Sequence, residues 1–266
     1  MNSFTFNTTY EDLIILKIGG SYLTEKTDKN QIPQLENLHL FCKTLKEFVT
    51  KNPTKKIILA HGAGSLGHVP AHEYSLQNGF HNEGNVICEK NMHILSSIIC
   101  QELIKYGLLC FPFHPINCFL TDKKRIVEMY LKPMEIILQH NCIPVIHGDV
   151  CTDISQGSCI LSADQIVPAL AQQFGCKRIG FICNSDVKDN ENNSIKVINE
   201  SNFEEIKKFL FGSKGFDVTG GMKGKIEELM FAAKNYDITS FVFDDKNDNL
   251  LKFLEGEDVG TKVCKN

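Results

Sequence analysis

Residues 55–68 read KKIILAHGAGSLGH and combine a short apolar run with a cluster of three glycines. The run IILA has the length and character of a buried strand, and the glycines that follow predict a tight turn. Glycines placed directly after a strand let backbone amides approach an anion closely. This stretch therefore predicts a strand that leads into an anion-binding loop, with His68 at the end of the loop.

The same alternation extends through the whole chain and predicts its fold class. Buried strands are predicted at residues 13–18, 56–60, 108–113, 143–147, 178–183 and 238–243. Helices are predicted at residues 35–49, 89–107, 132–140, 163–175 and 221–235. Strands that alternate with helices indicate a mainly parallel sheet that is covered on both faces. We therefore expect one doubly wound α/β domain, with surface loops at residues 24–33 and 189–194.

The composition indicates which cellular compartment and which classes of binding partner to expect. The chain has 266 residues and a formal net charge of −4, which argues against nucleic acid as a main partner. Its eleven cysteines are scattered without a CxxC pair, so we expect a reducing, cytoplasmic environment and no zinc or thioredoxin-type site. The N-terminal residues show no signal-peptide pattern, and no apolar stretch approaches the roughly 18 residues of a membrane span.

The loop after the first predicted strand, KIGGSYLTEK, places two glycines between Lys17 and Lys26. It is not a Walker A loop, which has a lysine directly after its last glycine. Amides at Gly19 and Gly20 together with ammonium groups would nevertheless suit a polyphosphate, and Ser21 could donate or cap. The alternative is an ordinary turn with solvated lysines.

The loop after the second strand matches GxGxxG, which by itself is a weak signal. A dinucleotide site would also need an acid at a strand end about 20 residues further on, and Glu83 lies in a polar segment instead. A dinucleotide is therefore disfavoured. His68 alone could equally be a surface or capping histidine.

The segment from His147 to Asp164 contains the motifs HGD and SAD. Ser162 is a candidate N-cap of the following helix, and Asp164 in its first turn is compatible with the helix dipole. A carboxylate there could also orient nearby ammonium groups. A metal site built from His147 and Asp149 is possible but has weak support from spacing.

The segment DVTGGMKGK runs into a helix whose first turns carry Lys223 and Lys225. Lysine is electrostatically misplaced at a helix N-terminus, because that end is already positive. The conflict disappears if an anion occupies the site. Such a local violation is typical of a functional position.

In this order and spacing, the motifs KIGGS…K, HGAGSLGH, HGD, SAD and DVTGGMKGK resemble the amino acid kinase family. The resemblance covers residues 13–263 and includes the closing segment GEDVGTKV. It implies a three-layer αβα sandwich around a mainly parallel sheet, formed by a single domain over residues 1–266. It also implies an acceptor lobe at about residues 1–175, an ATP lobe at about 176–266, MgATP as phosphoryl donor, no membrane association and a homodimer.

Within the family, His68 indicates the type of acceptor. Members that phosphorylate carboxylates, carbamate or a nucleotide do not generally have this histidine, whereas members with a phosphate or phosphonate acceptor do. The chain resembles the branch that acts on isopentenyl phosphate, an isoprenoid monophosphate, and makes isopentenyl diphosphate. Two alternatives stay open: a kinase for another phosphate or phosphonate of the fosfomycin type, and a non-catalytic nucleotide-binding module.

The resemblance also implies roles for individual residues. Positions that match nucleotide contacts are Lys17, Ile18, Gly19, Gly20, Ser21, Gly64, Asp186, Gly221, Lys223 and Lys225. Positions that match acceptor contacts are Ala63, His68 and Ala163. Lys26 matches a lysine that stabilises the transition state, and Asp164 matches the acid that organises the lysines. The chain departs from the family pattern at Ala63, Ala163, Gln165 and Lys188, where glycine, glycine and two acids are usual.

These residue types suit phosphoryl transfer to a phosphomonoester. Such an acceptor has a second pKa near ~6 and is a dianion at neutral pH, so it needs no general base. Catalysis instead requires stabilisation of the negative charge on the phosphates, which lysines, loop amides and a histidine donor can provide. An isoprenoid tail needs an apolar pocket, for which the candidates are Tyr74, Phe80, Met92, Ile94 and Ile146.

Overall fold

Two β-sheets organise the chain in the computed structural model, which describes residues 12–24, 35–210 and 220–266. Within those residues the strands are β1 Leu13–Ile18, β2 Lys56–His61, β3 Cys110–Pro112, β4 Phe119–Asp122, β5 Arg125–Met129, β6 Ile143–His147, β7 Asp149–Asp153, β8 Gly157–Leu161, β9 Arg178–Cys183, β10 Val197–Ile198, β11 Thr239–Asp244 and β12 Thr261–Val263. The helices are α1 Gly20–Leu23, α2 Leu35–Lys51, α3 Gly64–Glu73, α4 Asn82–Lys105, α5 Pro115–Cys118, α6 Lys132–Gln139, α7 Ala163–Phe174, α8 Phe203–Lys207, α9 Gly221–Tyr236 and α10 Asn249–Leu254. Among the described residues no helix is both long and apolar enough to cross a bilayer.

The large sheet has eight strands in the order β10-β12-β11-β9-β1-β2-β6-β3. All of its pairings are parallel except the one between β11 and β12. Alternate side chains of a strand point to opposite faces, so a sheet whose strands are apolar throughout must be covered on both. Ile15 packs in a core with α6, α7 and α9, whereas Leu16 packs in a second core with α2, α4 and α10.

This arrangement confirms the predicted α/β fold with a mainly parallel sheet. Five of the six predicted strands match the observed ones to within one residue at each end. The sixth, predicted at 108–113, is only three residues long. It is the edge strand β3, where Leu109 and Phe111 are exposed and Pro112 has no N–H to donate.

The second sheet, in the order β5-β4-β7-β8, was not predicted. Its strands have four or five residues of mixed polarity, such as FLTD and DVCTD, and they lack the apolar runs that mark the large sheet. Gly148 separates β6 of the large sheet from β7 of the small one. Asp149 is therefore the first residue of a strand in the small sheet.

One predicted helix begins earlier than the sequence indicates, and a further helix, α3, was not predicted. The predicted helix at 89–107 starts at Asn82, where the His81 side chain accepts a hydrogen bond from Gly84 N–H (3.0 Å). The second half of the predicted loop HGAGSLGH forms the first turns of α3, which begins at Gly64 with φ +54°. His68 therefore stands on a helix and not in a loop.

Candidate active site

A cleft of about 410 Å³ lies where β1, β2, β6 and β9 end. In parallel sheets the carboxyl ends of the strands lead into loops and helix N-termini, which is where ligands bind. The segments that follow these four strands all contribute to the lining, through Gly19, Gly62, Gly148 and Asn184. The cleft thus brings together residues of the glycine loops, of HGD and SAD, and of the start of α9, whereas the closing segment GEDVGTKV does not line it.

The glycines allow the loop after β1 and the loop after β2 to pack directly against one another. A Cβ on Gly19 would lie 2.6 Å from Ile182 O, and one on Gly62 would lie 2.6 Å from Gly20 N. One on Gly20 would meet the backbone of Gly64. Backbone bonds close the same contact, with Gly62 N–H donating to Ile18 O (2.9 Å). These glycines are therefore required by loop packing, whatever anion the loops also bind.

A buried ion triad stands at the centre of the cleft. Lys17 Nζ donates to Asp164 Oδ1 at 2.8 Å, and Lys225 Nζ donates to the same oxygen at 2.6 Å. Burial alone would raise the pKa of Asp164, but the two ammonium groups outweigh it and hold that pKa well below its usual range. The triad carries a net positive charge, so it can attract a further anion.

Three elements position the triad. Lys17 lies near the end of β1, and Asp164 lies in the first turn of α7, where Ser162 Oγ accepts from Asp164 N–H (3.1 Å). Ser162 is thus the N-cap that the sequence indicates. Lys225 lies in the first turns of α9 and is buried there. The electrostatic conflict noted for this lysine is relieved inside the protein, because Asp164 supplies a negative charge.

His68 lies on the part of the cleft wall that α3 forms. It is half-buried on α3, one residue after Gly67, and lines the cleft together with Ala63 and Val69. The start of α3 is tied to the first loop by a hydrogen bond from Ser65 N–H to Thr24 Oγ1 (3.1 Å). This contact fixes the helix that carries the histidine relative to the glycine loop.

An apolar arm of the cleft lies between α3, α4 and the small sheet. It is lined by Val69, Ala71, Cys88, Met92 and Ile160. Of the five tail-pocket candidates only Met92 is among the lining residues. Phe80 and Ile94 are exposed, Ile146 is buried in the core, and Tyr74 packs against His81. Cys88 could have been found from sequence, since it precedes Met92 by one helical turn and shares its face.

Asp149 is a second buried carboxyl in the lining, and it has no ammonium partner among the described residues. Its Oδ1 accepts from Val150 N–H (2.7 Å), while Oδ2 is buried without a hydrogen-bond partner and lies 3.5 Å from His147 Nδ1. Burial raises the pKa of Asp149 to about 8. At neutral pH this group is therefore largely a neutral carboxylic acid.

A row of histidines extends from Asp149 towards the surface. His147 and His114 share a hydrogen bond between ring nitrogens (2.9 Å), and the rings of His114 and His93 lie 3.7 Å apart. Burial lowers the pKa of His147 well below its ordinary value, so its ring is neutral. In the part of the chain that the structure describes, no group of three or more His, Cys, Asp or Glu side chains is arranged to hold a metal ion.

The remaining predicted residues divide into four groups. Ser21, Gly221 and Ala163 line the cleft, whereas Ile18 is buried beneath its floor. Asp186 and Lys223 are outside the lining. Asp186 pairs instead with Lys188 (2.8 Å between Nζ and Oδ1), and Lys223 is exposed. Lys26 lies outside the described residues.

Comparisons with known proteins agree with this architecture. The sequence profile of the amino acid kinase family matches residues 12–244. The isopentenyl phosphate kinase of Methanocaldococcus jannaschii is 32% identical over 94% of this chain and 98% of its own, and that of Haloferax volcanii is 28% identical with the same coverage. A solved isopentenyl phosphate kinase structure superposes with a TM-score of 0.79 at 23% identity, covering 94% of this chain and 99% of the other. A carbamate kinase from Giardia shares the fold at 13% identity, with a TM-score of 0.68 over 96% and 99% of the two chains.

Proposed function

The chain belongs to the amino acid kinase family, and from that premise we propose that it transfers the γ-phosphoryl group of ATP to isopentenyl phosphate. The bond that forms joins an oxygen of the acceptor phosphate to the γ-phosphorus. The bond that breaks joins that phosphorus to the β–γ bridging oxygen and releases ADP. The names of these two relatives support this acceptor, because the matches cover nearly the full length of both chains.

The observation that carries the proposal is the shared cleft of the ion triad and His68. Phosphoryl transfer between two polyanions depends chiefly on positioning and on stabilising charge. Lys17 and Lys225 are buried and held 2.8 and 2.6 Å from one carboxylate oxygen, so their ammonium groups are pre-organised before any ligand arrives. His68 lines the same cleft from α3 and is proposed as a donor for the acceptor phosphate.

The substrate ATP enters as its magnesium complex. Asp164 is already occupied by two lysines, and the described residues show no three-ligand metal group. The cleft therefore suits a Mg²⁺ ion that arrives on the phosphates and keeps several waters, as this ion commonly does. Protein residues position the phosphates, and the ion neutralises part of their charge.

We assign the two ends of the cleft to the two substrates. The nucleotide side consists of Gly19, Gly20, Ser21, Gly221 and Lys225, with Asp186 and Lys223 at its margin. The acceptor side consists of Ala63, His68 and Ala163, with Gly64 between the two. The proposed lobes follow this division, with acceptor binding in about residues 1–175 and ATP binding in about 176–266. Lys26 is proposed as the lysine that follows the transferred group.

We also propose that two copies of the chain associate through the β3 edge of the large sheet. The strand ends the sheet and exposes Phe111 (47%), Leu109 just before it is also exposed (64%), and Ile104 is exposed on the neighbouring helix α4. An unpaired edge with apolar side chains favours pairing with another copy. Light scattering after size exclusion should give about twice the monomer mass, and Phe111→Glu should shift it to the monomer.

The eleven cysteines support a cytoplasmic location. All of them are free thiols, and nine are buried. Free thiols on this scale are typical of proteins that work in a reducing compartment. Localisation of the tagged chain in its own cells, with thiol labelling before and after unfolding, tests this assignment.

An ADP-release assay with isopentenyl, dimethylallyl and geranyl phosphates tests the proposed activity. We expect ADP release to depend on isopentenyl phosphate and to form a diphosphate that mass spectrometry detects. Turnover of fosfomycin without turnover of these phosphates would replace the proposed acceptor with a phosphonate. ATP binding without turnover of any acceptor would indicate a nucleotide-binding module.

A further inference from the structure

Tyr22 belongs to the glycine loop after β1, but its side chain packs away from the cleft. It directly follows Gly20 and Ser21, which line the cleft, whereas its own ring lies in the core with α2 and α10. A tyrosine in such a core usually has a hydrogen-bond partner for its hydroxyl. The Tyr22 hydroxyl lies 2.6 Å from Asp245 Oδ2 and 3.0 Å from Asn37 O. It has a single proton, and the shorter contact with a carboxylate is the one that this proton favours.

The contact between Tyr22 and Asp245 joins two segments at the carboxyl edge of the large sheet. Tyr22 follows β1 and Asp245 follows β11, and these two strands are the neighbours of β9 in the sheet. The residues after β9, Asn184 and Ser185, line the cleft. The hydrogen bond therefore links the segments on either side of a part of the cleft floor.

The turn that carries Asp245 is itself closed against α10. Asn249 Nδ2, at the start of this helix, donates to both O and Oδ1 of Asp244 (3.1 Å each). Lys252 Nζ, on the same helix, donates to Asn247 O (2.8 Å). Asp245 thus lies in a well-anchored turn, so a hydrogen bond to it can hold the glycine loop in place.

Other hydrogen bonds hold the two ends of the glycine loop. At its start Gly19 N–H donates to Ile182 O (2.8 Å), and at its end Thr24 is tied to α3 as described above. Between these ends, Asn37 Nδ2 on α2 donates to Tyr22 O (3.0 Å). The backbone of the loop is therefore positioned from β9, from α3 and, through Tyr22, from α2 and the end of β11.

Such anchoring matters for a loop that binds phosphates through its backbone. Amides bind a polyphosphate well only when several of them point at the same place, so a small displacement of the loop weakens binding. Glycines allow the close packing of this loop, but they do not restrict its backbone by themselves. A side chain that leaves the loop on the core face can restrict it without occupying space in the cleft.

We propose that the hydrogen bond between Tyr22 and Asp245 positions the loop Gly19, Gly20 and Ser21 for the phosphates of ATP. Tyr22 and Asp245 are then positioning residues, since neither of them lines the cleft. This inference rests on the proposed function, because it concerns the nucleotide side of the same cleft. It is tested through ATP binding, which does not depend on the identity of the acceptor.

Calorimetric titration of Tyr22→Phe with MgATP tests the inference, because this variant keeps the ring and loses only the hydroxyl. We expect the Kd for ATP to rise about tenfold, near the lower end of what one hydrogen bond to a charged group is worth. The KM for isopentenyl phosphate at saturating ATP should stay within about twofold. Asp245→Ala should raise the Kd for ATP to the same extent. Asp245→Asn should keep it within about threefold, because the amide oxygen still accepts from Tyr22.

A double variant and a second tyrosine serve as controls. Tyr22→Phe combined with Asp245→Ala should raise the Kd no further than either change alone, because both remove the same contact. Tyr106→Phe is the matched control, since the Tyr106 hydroxyl lies 2.7 Å from His39 Nε2 and links the end of α4 to α2 outside the cleft lining. Its variant should keep the wild-type Kd for ATP even if its melting temperature falls.

The remaining outcomes separate this inference from the proposed function. An unchanged Kd in Tyr22→Phe overturns the inference and leaves turnover of isopentenyl phosphate intact. An equal rise in the Kd for ATP and the KM for the acceptor also overturns it, since Tyr22 would then support the whole cleft. Additive losses in the double variant, or the same loss in Tyr106→Phe, overturn it as well. The expected pattern of ATP binding without turnover of isopentenyl phosphate supports the inference and refutes the proposed acceptor.

Discussion

Asp164 and Asp149 line the same cleft and are nearly equally buried, yet Asp164 is ionised and Asp149 is largely neutral at pH 7. Asp164 lies between two ammonium groups and stays ionised, whereas Asp149 has one backbone donor, Val150 N–H, and no ammonium partner among the described residues. Burial disfavours the ionised form of both carboxyls, and only the local partners differ. The same cleft thus contains one buried carboxylate that is ionised and one buried carboxyl group that is largely neutral at pH 7.

The largest effect should come from removing the charge of Asp164. Asp164→Asn leaves Lys17 and Lys225 buried without their counter-ion, and breaking such a pair typically lowers the free energy of unfolding by about 3–5 kcal/mol. Urea unfolding measures this loss. Saturating ATP should restore part of it, because phosphates can replace the missing anion. Asp149→Asn is the control, and a comparable loss there at pH 7 would mean that the two carboxyls do not differ as described.

Lys26 offers a second test of the charged part of the cleft. Its role is predicted from the sequence alone. If this lysine follows the transferred group, Lys26→Ala should lower kcat and kcat/KM together by about 10²–10³, with little change in stability. Lys26→Arg should recover little, since a planar fork does not reproduce a compact ammonium. Steady-state kinetics with a thermal melt measures both effects. Near-native kcat in the alanine variant would leave the transition-state role to Lys17 or Lys225.

A smaller and more selective effect is expected at His68, between the two sides. One hydrogen bond to a charged phosphate is worth roughly 1.5–3 kcal/mol, so His68→Ala should reduce acceptor kcat/KM by about ten- to a hundredfold. ATP affinity, measured by calorimetry, should stay nearly unchanged. An equal loss of ATP binding would show that the histidine supports α3 and does not contact the acceptor.

A graded effect concerns the pH dependence of Asp149. Its folded pKa of about 8 lies above the unfolded value of about 3.9, so the folded chain binds more protons between these values and loses stability as pH rises through them. Asp149→Asn removes this titration. The variant should therefore gain on the wild type by up to about 1.4 kcal/mol per pH unit between pH 5 and 8.

Urea unfolding at each pH measures this difference. Subtracting the wild-type curve cancels the titrations of Glu89 and Cys88 on α4, of His147 on β6, and of Asp164, whose stabilising contribution is lost as pH falls below about 4. A difference that stays flat from pH 5 to 8 would mean that Asp149 is ionised throughout, and the contrast with Asp164 would disappear.

Local patterns sufficed where a residue's role depends on its immediate neighbours in the chain. The apolar runs of β1, β6 and β9 predicted their strands almost to the residue, since buried strands of a parallel sheet are apolar on both faces. The order of the glycine, lysine and histidine motifs predicted the family, which the comparisons confirm. The Ser162 cap was also predicted, because capping involves residues that lie two or three positions apart.

Long-range packing determined the rest. The strands of the small sheet are too short and too mixed to stand out, and their pairing joins β4 to β7 across the intervening helix α6. No local pattern shows that Lys225 reaches Asp164 across 61 positions, or that the glycines of two loops touch one another. The ionisation of Asp149 and Asp164 follows from which groups the fold brings within a few ångströms of each carboxyl. Two residues of one type thus differ in charge for a reason that acts only once the chain has folded.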